Sequence, residues 1–413
     1  MHKILVADNT TEEKESMVVL MNITSDIKYV GVNDLSIDLF EGMYKVPEGM
    51  SYNSYVIMDE KIAVVDTVDA SFTEEWLGNM AKALKGRKPD YLIVQHMEPD
   101  HSANIVKLVE HYPQIMLVSS MKAFEMMRHY FGTEFARRRM VIEDGDILSL
   151  GKHKLRFVTA PMVHWPEVTM TYDMTEGALF SADAFGRFGA IVENARDDES
   201  DSVLLSEWAK EASRYYFGIV GKYGTFVQKL LQKIKQFDVK QICPLHGPIL
   251  KENIGEYVGL YDTWSAYLPE KRGVVIAYTS VYGNTQRIVR MMAERFRQAG
   301  VECVVHDLAR CDRAEVISDA FRYDRMVLAT TTYNAGIFPF MMEFIIGLKE
   351  RNFGNRKIGF VENGGWAPIA AKIMREQLSQ CKNISFAEPV VRMISVEDEN
   401  TMEEIEGLIQ QLC

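Results

Sequence analysis

The sequence predicts an α/β protein in two parts. The first mixes strands and helices, and the second is a doubly wound parallel sheet. Three observations lead there. Histidines and carboxylates follow one strand-like run after another before residue 250. A composition break comes at 265–272 (SAYLPEKR). After it, apolar runs alternate with amphipathic stretches, the rhythm of βαβ units. The boundary falls near the break, giving parts 1–268 and 269–413.

Residues 1–30 carry no chemical motif and read as a strand-rich leader packed on the first part. The runs 55–58 (YVIM) and 62–65 (IAVV) flank a polar DEK and predict a hairpin. Residues 91–95 (YLIVQ) are a buried strand, and 102–112 are helical with Ile105, Leu108 and Val109 on one face. Strands follow at 115–118 and 155–159, and 169–172 with 178–181 form a second hairpin. Residues 205–237 have helical periodicity, and 239–243 are the last strand of this part. In the second part 273–278, 301–306, 325–329 and 357–361 read as strands, with a short one near Ile384. Helices at 284–299, 339–350 and 367–380, and one more between 306 and 325, separate them. On the first of these, Ile288, Met292 and Phe296 face inward. Such alternation over about 140 residues suits a single doubly wound domain.

The chain of 413 residues has a net charge of −12, which argues against nucleic acid or an anionic membrane as main partner. Its five cysteines form no C-x-x-C pair, so neither a disulfide framework nor a thiolate metal site is expected. A reducing, cytoplasmic compartment fits that usage. No run approaches the length of a membrane span, and the N-terminus lacks the apolar core of a signal peptide.

The string His96-Met-Glu98-Pro-Asp100-His101 sets four potential metal ligands in six positions after a strand. His164, Asp183 and His246 follow later strand-like runs. A lone histidine is seldom a ligand, but seven such residues behind strands are a joint pattern. Tetrahedral zinc takes three or four protein ligands, so seven suit two metals that share a carboxylate. Imidazole and carboxylate without thiolate suit iron or manganese, and also zinc. His111, His129, His153 and His306 lack this context and read as structural or exposed.

The pattern H-x-[HE]-x-D-H with spaced His, Asp and His resembles the metallo-β-lactamase fold, an αβ/βα sandwich. Its hydrolytic members usually carry His at the third position and bind zinc. Glu98 there, with His164-Trp-Pro166 downstream, is similar to the flavodiiron proteins. In that family a metallo-β-lactamase-like di-iron domain precedes a flavodoxin-like FMN domain. The resemblance runs from residue 30 to the end. It implies that His96, Glu98 and His164 hold one iron, that Asp100, His101 and His246 hold the other, and that Asp183 bridges. An anionic oxygen donor stabilises ferric iron better than neutral imidazole, which suits Glu98 to a redox site. The family usually shows aspartate after His-Trp-Pro, where this chain has Glu167.

Ser280-Val281-Tyr282-Gly283-Asn284-Thr285 lies between a strand and an amphipathic helix. Backbone N–H groups at such a helix N-terminus bind phosphate. The Ser280 and Thr285 hydroxyls can add donors, and Gly283 permits close backbone approach. Segments 330–336 and 362–367 also follow parallel strands, so all three meet at one sheet edge. They offer Thr332, Tyr333, Asn334, Ala335 and Gly336, then Asn363, Gly364, Gly365 and Trp366. Tyr333 and Trp366 present flat faces to an isoalloxazine ring. The set resembles the FMN domain of the same family, except that Pro368 stands in a loop commonly richer in serine and glycine. No G-x-G-x-x-G string occurs, so direct nicotinamide binding is not expected.

The resemblance implies a terminal oxidoreductase that reduces O2 to water, NO to N2O, or both. Its di-iron centre would carry a bridging oxo or hydroxo group and receive electrons through FMN. A separate carrier such as rubredoxin or a flavin reductase would supply them. A head-to-tail homodimer, or a dimer of such dimers, would set one subunit's FMN beside the other's irons. Two other readings use the same residues: a zinc hydrolase with a fused flavodoxin, and a non-catalytic electron carrier. Glu98 and the flavin segments argue against the first, and seven intact ligand positions against the second.

Overall fold

The structure, a computed structural model, describes residues 22–191 and 201–413. Most of the expected leader lies outside the described residues. Its described end, Ile27–Tyr29, is an edge strand antiparallel to Tyr55–Ile57.

Two sheets build the first part. One runs Ile27–Tyr29, Tyr55–Ile57, Ala63–Val65, Tyr91–Ile93, Met116–Ser119, Arg139–Val141 in spatial order. The other runs Ile147–Ser149, Lys154–Thr159, Thr169–Asp173, Ala178–Phe180, Gln241–Cys243. Both expected hairpins form, pairing Tyr55 with Val65 and Tyr172 with Leu179. Alternation along the strands explains why they read as unbroken apolar runs. Tyr55, Ile57, Val65 and Ile93 point between the sheets, against Leu155, Phe157, Ala178 and Phe180. Val56, Val64 and Leu92 turn outward, towards Trp76, Met80, Phe124 and Met127 from the helices, and Leu179 turns to the outer face of the second sheet. The result is the expected helix–sheet–sheet–helix sandwich.

Residues 205–237 are not one helix. Asp201–Tyr215 passes through a π turn at Tyr216–Val220 and a 3-10 turn before Gly224–Ile234 resumes. The wider turn lets Tyr216, Phe217, Ile219 and Val220 all bury. Helix Ile254–Ser265, which the sequence pattern does not predict, buries Tyr261 and Trp264 without a single apolar stripe to announce it.

The third sheet lies wholly after residue 270. Its spatial order is Cys303–Asp307, Lys271–Tyr278, Tyr323–Tyr333, Lys357–Gly364, then Ser385–Phe386 and Val391–Ile394, all parallel. That is strand order 2-1-3-4-5, the flavodoxin-like doubly wound arrangement. Helix Asn284–Gln298 buries Ile288, Met292 and Phe296, and Glu399–Leu412 packs on the same face. Arg313–Arg322, Pro339–Glu350 and Ala370–Leu378 cover the other face. Strands Tyr323–Tyr333 and Lys357–Gly364 outrun their expected ends. Thr332, Tyr333, Asn363 and Gly364 therefore sit on strand ends rather than in loops. Tyr333 pairs with Gly336 across a tight turn in which Asn334 (φ 48) and Ala335 (φ 56) are left-handed. Strand Val391–Ile394 and helix Glu399–Leu412 lie beyond the last element that the sequence predicts.

Candidate metal centre

The loop after strand Tyr91–Ile93 is shaped by Asp66, itself left-handed at φ 51. The buried Asp66 carboxylate accepts from Gln95 N at 2.7 Å and Gln95 Nε2 at 3.0 Å. Thr67 Oγ1 donates to the His101 carbonyl at 2.8 Å. Glu98 ends extended and Pro99 opens a single turn, Pro99–Ser102. Proline at a first helical position needs no partner for its missing N–H. This turn sends Glu98 into one group of ligand atoms and Asp100 and His101 into another.

All seven expected residues converge, in two groups: His96, Glu98, His164 and Asp183, then Asp100, His101 and His246. Glu98 Oε2 lies 3.2 Å from both His96 Nε2 and His164 Nε2. Asp183 Oδ2 lies 3.0 Å from His164 Nε2 and 3.5 Å from His96 Nε2. In the second group, His101 Nε2 and His246 Nε2 are 3.0 Å apart, each 3.3 Å from Asp100 Oδ2. The other Asp183 oxygen, Oδ1, lies 3.5 Å from His101 Nε2 and 4.0 Å from His246 Nε2. Donor atoms about 2.1 Å from one ion, subtending right to tetrahedral angles, stand about 3.0–3.4 Å apart. Most edges of both groups match that size, and one aspartate reaches both, through longer contacts of 3.5 Å to His96 and His101 and 4.0 Å to His246.

The electrostatics ask for cations. Asp100 Oδ1, Asp100 Oδ2 and Asp183 Oδ1 are buried with no hydrogen-bond partner among the described residues. Burial alone would push the Glu98 carboxyl up, but bonds from His164 and His96 outweigh it and hold it well below the usual carboxylate range. Asp183 follows the same balance, with burial opposed by His96 and His164. Burial drives the His101 imidazole down to about 4, which keeps it neutral, the ligating form.

Neighbours orient the rings. His96 Nδ1–H donates to Glu167 Oε1 at 2.9 Å, and His246 Nδ1–H to the Ser51 carbonyl at 2.7 Å. Both rings thereby turn an Nε2 lone pair to the centre. Glu167, where the family usually has aspartate, thus holds His96. Asp66 and Ser51 escape sequence reasoning because nothing marks a carboxylate 29 positions away or a carbonyl 195 positions away as a partner. His153 is structural, buried between Asp173 at 2.7 Å and Asp26 at 3.3 Å. Asp26, His153 and Glu176 also cluster, but Lys152 Nζ already bonds Asp26 at 2.6 Å and Glu176 at 3.2 Å.

At the carboxyl edge of the third sheet, Gly283 (φ 91) precedes helix Asn284–Gln298. Thr285 Oγ1 there is buried with no partner among the described residues. Ser280 Oγ accepts from Gly283 N and Gln286 N and keeps its own proton to donate. An orphaned hydroxyl beside free helix N–H groups fits a phosphate. Tyr282 and Trp366 are 94% and 84% exposed, flanking this edge with Tyr333. Thr332 Oγ1 instead caps helix Ala370–Leu378 by accepting from Ile369 N at 2.9 Å. Asn363 exchanges two hydrogen bonds with the Ser395 backbone, which brings in a segment that the sequence did not single out.

Residues 50–247 match the family described as ODP family beta lactamase, and 275–388 match the flavodoxin domain. A nitric oxide reductase of Moorella thermoacetica is 31% identical over 376 residues, 89% of this chain and 91% of that protein. An anaerobic nitric oxide reductase flavorubredoxin of Salmonella paratyphi B is 30% identical over 84% of this chain and 72% of its own length. Rubredoxin oxygen:oxidoreductase of Desulfovibrio gigas superposes with TM-score 0.87 at 26% identity, over 95% of this chain and 98% of that one. The flavodiiron protein of Giardia intestinalis gives TM-score 0.87 at 26% identity, over 97% of each chain. A two-metal β-lactamase-like domain followed by a flavodoxin domain defines the class. The chain belongs to the flavodiiron protein family.

Proposed function

We propose that the protein is a terminal oxidoreductase reducing O2 to water, NO to N2O, or both, at a di-iron centre supplied by FMN. One observation carries this: the two oxygens of Asp183 face two separate ligand groups. The names of the Moorella and Desulfovibrio relatives support it. Bound iron supplies redox chemistry and sites for a diatomic gas, and FMN stores two electrons. The chain supplies position. His96, Glu98 and His164 take one iron, Asp100, His101 and His246 the other, and Asp183 both. Glu167 and the Ser51 carbonyl fix ring direction. Ser280–Thr285 and the neighbouring strand ends hold the flavin. In this reading residues 1–268 are the di-iron domain and 269–413 the FMN domain.

Electrons come from a separate protein, rubredoxin or a flavin reductase in class, and the working unit is a cytoplasmic head-to-tail homodimer. Exposed apolar side chains at both ends support the pairing: Tyr282, Trp366 and Ile394 at the flavin edge, and Met43 on the hairpin whose Phe40 packs on His246. No helix among the described residues is long and apolar enough to cross a membrane. A zinc hydrolase is disfavoured by Glu98 and by the flavodoxin domain.

The test is anaerobic turnover with a chemically reduced carrier, adding NO or O2, on protein assayed for iron and FMN. Gas consumption by protein with about two irons and one flavin per chain is the expected result. No consumption by fully loaded protein would overturn the reading.

A further inference from the structure

We propose that Trp264, with Glu270 on its indole N–H, is a one-electron relay that carries oxidising equivalents from the metal centre to a reductant at the surface. It rests on the O2 reduction proposed above. Two aromatic routes lead from the ligands to this ring. Two residues after Asp183, Phe185 stacks on Tyr261 at 4.2 Å, and Tyr261 lies 5.6 Å from Trp264. On the other side Tyr215 lies 5.6 Å from the His246 ring, and its chain neighbour Tyr216 lies 5.5 Å from Trp264. All these rings are buried. Electron transfer falls off exponentially with gap, so a series of short ring-to-ring gaps, joined through the backbone at Tyr215–Tyr216 and at Asp183–Phe185, passes charge where one long jump would not.

Trp264 is set apart by its partner. Its Nε1–H donates to Glu270 Oε2 at 3.0 Å. Among the described residues it is the one indole that donates to a carboxylate, and the Trp76 and Trp208 N–H groups have no partner. A carboxylate there eases electron loss, because it offsets the positive charge or takes the proton. Glu270 is paired with Arg322 at 2.7 Å, and both line a surface cleft of about 530 Å³ with Ala209, Asn253, Glu256 and Leu260.

Reducing O2 to water takes four electrons and four protons. A chain that meets O2 with fewer stored electrons is left oxidising. Trp264 then gives one electron towards the centre, and its N–H proton passes to Glu270 Oε2. A neutral one-electron reductant of the hydroquinone class, which the paired Glu270 and Arg322 and the Glu256 carboxylate of the cleft do not repel, returns the electron, and Glu270 returns the proton. The net change is one electron from reductant to centre, with Trp264 restored. Trp165 is the rival, since its ring lies 5.1 Å from that of His96, but among the described residues its N–H meets no carboxylate.

The experiment uses iron- and FMN-loaded protein carrying indole-deuterated tryptophan. It receives half of the reducing equivalents that O2 requires, is mixed with O2 and is freeze-quenched for electron paramagnetic resonance. The expected result is a radical signal narrowed by indole deuteration, lost in Trp264→Phe, kept in Trp165→Phe and shorter-lived in Glu270→Gln. A signal insensitive to indole deuterium, or one that follows Trp165, would overturn the relay. Glu270→Gln covers the case in which Trp264→Phe fails to fold, and an unchanged lifetime there also overturns it. Oxygen uptake is read on the same samples. Uptake without an indole signal sinks the relay alone, and no uptake sinks the reductase reading with it.

Discussion

Replacing Glu167 by alanine removes one acceptor from two buried donors. Glu167 Oε1 accepts from His96 Nδ1 and from Met97 N, each at 2.9 Å. Glu167 is 2% exposed and His96 is fully buried, so water does not readily take over. A buried donor left without a partner costs about 1–3 kcal/mol. The Met97 share falls on folding, whatever metal is present. The His96 share falls on metal binding, because the freed ring can turn or carry its proton on the nitrogen that should face the ion. At about 1.4 kcal/mol per tenfold, that share is a roughly 5- to 140-fold loss of affinity for the metal that His96 holds. The assay is iron removal by a graded series of chelators, beside thermal unfolding of the metal-free protein. Glu167→Ala should weaken one of the two irons and lower the melting temperature. Glu167→Gln, which keeps an oxygen acceptor, should recover most of the stability and part of the affinity. Wild-type affinity for both irons in Glu167→Ala would refute the reasoning.

Three further outcomes are expected. Thr285→Val keeps the shape and loses the orphaned hydroxyl; if that hydroxyl meets phosphate, FMN binding weakens by about 10- to 100-fold, the equivalent of one bond to a charged group, and a titration of flavin fluorescence reads it. Glu98→His should keep two metals but favour zinc and lose reductase turnover, checked by metal analysis and gas uptake together; full turnover would show that the glutamate is not what makes the site redox-active. For His153, burial pushes the imidazole down, but bonds to Asp173 and Asp26 win and raise it above its ordinary value. A raised folded-state pKa contributes stability that is full below the unfolded value and fades as pH rises through the folded one. Urea unfolding of wild type and His153→Gln should therefore differ most in mildly acidic solution and converge as pH rises, and a gap that widens with pH would contradict the bond pattern.

The sequence by itself determined the residue types of the centre and the order of the parts. Seven ligands behind strands are legible because a strand end is a local event and a ligand is a residue type. The parallel sheet after 270 is legible because each of its βαβ turns is marked within a few residues, and Ile288, Met292 and Phe296 show helical spacing without any partner in view. Residue spacing did not say which ligand joins which group; the resemblance implied it, and the packing of two sheets, one carrying the His96 loop and the other Asp183 and His246, brings the groups together. Tertiary structure alone decided that Glu167 orients His96, that Asp66 braces the loop, and that Tyr333 and Asn363 ride on strands rather than loops. It also decided the helix carrying Tyr261 and Trp264, whose burial on more than one side leaves no periodic stripe to read. A hydrogen bond across 70 residues, such as Met97 to Glu167, leaves no mark on either neighbourhood, because spacing records the local path of the backbone and not the packing that brings distant segments together.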